Sequence, residues 1–82
     1  VTLRAYGPFA DYLRKHPFHH SQVERNDMGT FTSFDYMLLV TDELVDEILA
    51  LGDKVEITFP EKLRMKLLQK IGRIRNRYDV SF

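Results

Sequence analysis

Three histidines fall close together in the run HPFHH, at His16, His19 and His20. Clustered imidazoles are the commonest route to a divalent metal site. The local pattern argues against one here. His16 is placed at the end of a helix-like run, where the helix dipole favours a cation whether or not a metal is present. His19 and His20 are adjacent in a strand-like segment, so their rings are expected on opposite faces. No cysteine is present, and the nearest acids show no ligand spacing. The expectation is no metal site.

Other chemistry finds as little support. Ser21, Ser33 and Ser81 sit in no elbow-like motif, and no thiol is available as a nucleophile. Asp42 with Asp46, and Glu43 with Glu47, are carboxylate pairs at i, i+4, a spacing that reads as one solvated helix face. No glycine-rich loop is present to cradle a phosphate. The expectations are therefore no enzyme, no catalytic residue and no cofactor.

Charge is the more informative property. The net charge is zero, yet the signs are segregated. Between Asp42 and Glu56 there are six acids and one base, Lys54. Between Glu61 and Tyr78 there are seven bases and one acid, Glu61. A cationic helix face of this kind is either a solvated surface balanced elsewhere or a site for phosphates or an acidic partner. The candidate anion-binding residues are Arg4, Arg64, Arg73 and Arg77.

The elements that must position these residues follow from periodicity. Val1, Leu3 and Ala5 alternate with Thr2, Arg4 and Tyr6, as in a half-buried strand. Gly7-Pro8 opens a helix with Phe9, Tyr12, Leu13 and His16 on its apolar side, closed at Pro17. HHSQVERND reads as a polar edge strand and TFTSFDYMLLV as its hairpin partner, with Phe34, Tyr36, Leu38 and Val40 on one face. Thr41 is the N-cap of an acidic helix with Leu44, Val45, Ile48, Leu49 and Leu51 inward and Gly52 as its stop. KVEITF is a strand with Val55, Ile57 and Phe59 inward. Pro60 launches a basic helix striped with Leu63, Leu67, Leu68, Ile71, Ile74 and Tyr78, and weakened in the middle by Gly72.

The order β-α-β-β-α-β-α predicts an α+β chain: a ferredoxin-like βαββαβ sandwich with an added C-terminal helix. Residues 1–82 make a single domain, and the start at Val1, inside a strand-like pattern, suggests part of a longer chain. A ferredoxin-like sheet raises RNA binding through stacked aromatics. MGTFTSFDY lacks the basic-Gly-aromatic opening of that motif, and Phe34 and Tyr36 share a face with Leu38 and Val40, so core packing is the better reading. The longest apolar run, Tyr36 to Val40, falls far short of the roughly 20 residues a membrane helix needs. No signal peptide pattern is visible. No membrane role and a cytoplasmic location are expected.

One stretch carries a resemblance. DEILALGDKVEI, then FPEKLR, then a basic amphipathic helix ending in Tyr78, is similar to the C-terminal extension, or WCX domain, of bacterial WYL-domain transcriptional regulators. The likeness spans nearly the whole chain and is strongest from Leu44 to Leu67. Pro60, Glu61, Leu63 and Arg64 match as fold markers. The resemblance implies a regulatory and dimerisation domain that helps to shape an effector site for a nucleotide or single-stranded nucleic acid. It implies partnership with a WYL barrel of the same protein or self-association, and DNA binding through an N-terminal domain. The barrel's Trp-Tyr-Leu signature and a DNA-reading helix-turn-helix are not in this chain, so the family's ligand residues cannot be placed on it. The alternative is a ligand-free protein–protein interaction module of the same fold, in which acidic and basic segments meet across subunits.

Overall fold

The computed structural model describes residues 1–79. Strand β1 (Thr2–Tyr6) is followed by α1 (Pro8–Lys15), β2 (Val23–Asp27), β3 (Phe31–Asp35), α2 (Asp42–Leu49), a 3-10 turn (Gly52–Lys54), β4 (Val55–Phe59) and α3 (Glu61–Tyr78). The strands form one sheet in the order β2-β3-β1-β4, and every neighbouring pair is antiparallel. The arrangement is α+β and compatible with a ferredoxin-like sandwich.

Local chemistry explains the boundaries. Gly7 takes a positive φ of 57°, a backbone region open to glycine at little cost, and this turns the chain from β1 into α1. Pro8 then occupies the first helical turn, where its missing N–H costs nothing. Thr41 caps α2: its Oγ1 accepts from the Leu44 N–H at 3.1 Å. Asp42 and Glu43 in the first turn complement the dipole. In α3, Glu61 lies in the first turn and Arg75 and Arg77 in the last, the same complement at both ends.

All three helices share one face of the sheet. Leu3 and Ala5 of β1, Phe34 and Tyr36 of the β3 run and Ile57 of β4 join Ala10 and Leu13, Leu44, Val45 and Ile48, and Leu63 and Leu67 in one apolar cluster. The opposite face stays open, and alternation places Thr2, Arg4, Tyr6, Phe31, Ser33 and Asp35 on it.

Several expectations are corrected by packing. Phe59 is not inward; it is 63% exposed. The β1–β4 register shifts between Leu3↔Ile57 and Thr2↔Phe59. The extra residue, Thr58, reverses the alternation and puts Phe59 on the face of Thr2. The inner side of α1 is Ala10 and Leu13, while Tyr12 and His16 are exposed. The strand of the long hairpin segment is only Phe31–Asp35, extended by one residue as Tyr36 exchanges backbone hydrogen bonds with Val1 and enters the core. His19 and His20 lie in a turn, not a strand. The C-terminal helix is no mere appendage: Leu63 is fully buried and Leu67 nearly so. Its later residues Leu68, Ile71, Ile74 and Tyr78 are all exposed.

Candidate functional site

Arg4 and Arg64 come from opposite ends of the chain, and the fold brings both to one carboxylate. Glu56, on the edge strand β4, lies 3.9 Å from Arg4 Nη1 and 3.8 Å from Arg64 Nη1. Tyr6 donates its hydroxyl to Glu56 Oε1 at 2.6 Å. That donation, with partial burial, raises the Tyr6 pKa above its ordinary value. The Arg4 guanidinium stands 4.4 Å over the Phe31 ring, and Tyr6 meets Phe31 edge-on. Arg64 also donates to the Ile57 carbonyl at 2.7 Å and lies 3.5 Å from Glu61. It therefore covers part of a sheet edge that would otherwise invite strand pairing. Both arginines have their charge answered inside the chain.

Arg73 and Arg77 are placed differently. They stand 9 and 13 positions beyond Arg64 on α3, about 14 and 20 Å further along its axis at 1.5 Å per residue. Both are exposed. Neither has an acidic partner among the described residues. The four candidate arginines thus form two places, not one.

The acidic and basic segments meet within a single chain. Lys66 lies 3.8 Å from Asp42, and Lys70 lies 2.7 Å from Asp46. Arg75 is held by Asp79 at 2.8 Å. The basic helix is consequently far less unopposed than its composition suggests, and its unanswered charge is concentrated at Lys62, Arg73 and Arg77.

Beside the apolar stripe of α3 runs a groove of about 440 Å³. Ile48 and Leu49 of α2, Val55 and Ile57 of β4, and Leu68 and Ile71 of α3 line it. From there the stripe continues past the body through Ile74 and Tyr78, which are 44% and 79% exposed.

Two clusters escaped the sequence reading. Arg14 ties α1 to the sheet: it donates to Asp11, to both oxygens of Glu24 and to the buried Thr32 hydroxyl. The Arg14 hydrogen bond holds the Glu24 carboxyl below its ordinary range. Local spacing signals only its Asp11–Arg14 pair, three residues apart on α1; Glu24 and Thr32 meet Arg14 only when β2 and β3 lie beside α1. The second is Ser21 with His19: the Oγ–Nδ1 distance is 2.8 Å, and the same Oγ accepts the Met37 N–H at 2.9 Å. Those bonds close the 16–22 loop onto the end of β3. The His19 and His20 rings are 4.1 Å apart. Among the described residues, no group of three or more His, Asp or Glu side chains is placed to hold a metal. Ser81, a candidate nucleophile by type, lies outside the described residues.

As the alternation required, Phe34 and Tyr36 are core: they are 0% and 4% exposed. Burial pushes the Tyr36 hydroxyl pKa well above its ordinary value. Among the described residues, no helix is long and apolar enough to cross a membrane. The chain matches no protein-family model and no curated protein sequence.

Proposed function

We propose that this chain is a ferredoxin-like regulatory module, of the kind that ends WYL-type transcriptional regulators, and that it works by protein contact through the second half of α3. One observation carries the reading. The same stripe that buries Leu63 and Leu67 continues uncovered through Ile71, Ile74 and Tyr78, with Arg73 and Arg77 on the same half-helix. An apolar stripe beyond the end of a small core does not serve that core, and grouped exposure of this kind marks contact surfaces. Effector binding by a nucleotide or single-stranded nucleic acid would fall to Arg73 and Arg77. The ligand-free form of the reading is favoured by Glu56, which already answers Arg4 and Arg64.

Ile74→Asp tests the surface directly. The variant should keep its circular dichroism and melt within a few degrees of the parent, because a half-exposed side chain on a helix beyond the core carries little stability. Unfolding of Ile74→Asp would show the stripe to be core, and the reading would fall.

A further inference from the structure

We propose that the cavity between α1 and the turn from α2 to β4 binds a small aromatic carboxylate, with its ring against Phe9 and Tyr12 and its carboxylate on Lys54. The cavity shares no residue with α3 or with the groove beside it, so the site is independent of the α3 contact surface.

Its residues come from four places in the chain. Tyr6 ends β1, Phe9 and Tyr12 belong to α1, Ala50 and Leu51 follow α2, and Lys54 ends the 3-10 turn. They line a cavity of about 600 Å³, a size usual for small-molecule sites. Side chains three apart on a helix are neighbours on one face. The Phe9 and Tyr12 rings accordingly stack, with centroids 5.3 Å apart and planes 17° from parallel. His16, one turn further on, places its ring 4.9 Å from Tyr12, so Tyr12 is held between two rings. Gly52, at a positive φ of 65°, turns the chain from α2 toward β4. Lys54 then comes back over Phe9, with Nζ 5.7 Å from the ring centroid.

Much of this aromatic surface is left over from the core. Tyr6 and Tyr12 are 38% and 53% exposed, and the buried side of α1 is Ala10 and Leu13. Aromatic rings open to solvent offer a flat ligand offset stacking and edge contacts. Ala50 and Leu51 add aliphatic wall.

The polar groups select the ligand's charge. The Tyr6 hydroxyl is already given to Glu56. Among the described residues, no acidic side chain lines the cavity, and exposed Lys54 has no acidic partner. One ammonium beside apolar walls matches one negative charge, and its hydrogen bond to a carboxylate is charge-assisted. A nucleotide fits less well. Its phosphates carry several charges, and the lining holds no second cation and no arginine fork. A quaternary ammonium, the usual guest of aromatic cages, meets a like charge in Lys54.

Titration of the isotope-labelled chain with naphthoate, followed by amide NMR, tests the proposal. Naphthoate should bind with a dissociation constant on the order of 1 mM, as suits a ligand of few atoms at an open site. Its shifts should centre on residues 6–12 and 50–54. Naphthamide, which keeps the ring and loses the charge, should bind roughly fivefold more weakly. Decalin carboxylate, which keeps the charge and loses the aromatic ring, should weaken by a similar factor. Lys54→Met should bring naphthoate down to the level of naphthamide and leave naphthamide unchanged, with Lys54→Gln as a second removal of the charge. Tyr12→Ser should weaken both ligands. Lys54 and Tyr12 are exposed, so these variants should melt like the parent.

Absence of shifts with naphthoate at about ten times that dissociation constant overturns the site, as do shifts confined to other residues. Naphthamide or phenyltrimethylammonium binding as tightly as naphthoate overturns the carboxylate. Decalin carboxylate binding as tightly overturns the aromatic ring. None of these outcomes touches the α3 surface, which stands or falls on Ile74→Asp.

Discussion

The two halves of α3 share a composition and a period, yet only one is part of the core. Leu63 and Leu67 in the first half are buried, and Lys66 and Lys70 beside them are answered by α2. In the second half Ile71, Ile74 and Tyr78 continue the stripe, and Arg73 and Arg77 continue the cations, with neither set covered. The difference does not lie in the helix. It lies in what stands beside it: α2 ends at Leu49 and the sheet is five residues deep at β4, so an 18-residue helix outruns both. The lesson is that amphipathic periodicity announces a face that needs burial without saying that the chain itself will bury it.

Mutations can break or sharpen that contrast. The largest effect should come from Leu63→Ala, which empties a fully buried site at the sheet and should cost about 2–5 kcal/mol in urea denaturation. Ile74→Ala should cost well under about 1 kcal/mol by the same measurement, as surface substitutions do. Equal losses at the two positions would abolish the contrast between the halves. Next in size is Gly72→Ala, at the junction between the halves. A Cβ there meets nothing within 4 Å, so the helix propensity of alanine should stabilise by roughly 0.5–1 kcal/mol. Amide exchange should slow mainly in residues 71–78. Slowing spread evenly over the chain would mean that the second half is no separate unit. The smallest change is expected for Lys70→Ala. It removes an exposed ion pair to Asp46 and should cost no more than about 0.5 kcal/mol, fading as salt rises. A cost that salt does not touch would mean that the lysine stem, not its charge, holds α2 to α3.

What was legible in the sequence was whatever depends on near neighbours. Gly7-Pro8, the Thr41 cap, Gly52 and the alternation of β1 are local in origin, and each is found where the residues place it. The order of elements and the α+β class follow from those signals. The segregation of charge between Asp42–Glu56 and Glu61–Tyr78 was equally legible, since it is a property of composition alone.

Tertiary structure decided the rest, because it depends on what comes alongside. A register shift of one residue at Thr58 turned Phe59 outward, and no local pattern encodes a shift set by pairing with β1. By sequence Arg4 and Arg64 are candidate anion-binding residues. The fold set both against Glu56, a residue 52 positions from one and eight from the other. The acidic helix reached the basic helix within one chain and left Glu43 and Glu47 over. A sequence counts charges and apolar residues. Only packing determines which of them are already satisfied, since satisfaction is a matter of distance in space and the chain that supplies a partner is seldom nearby in sequence.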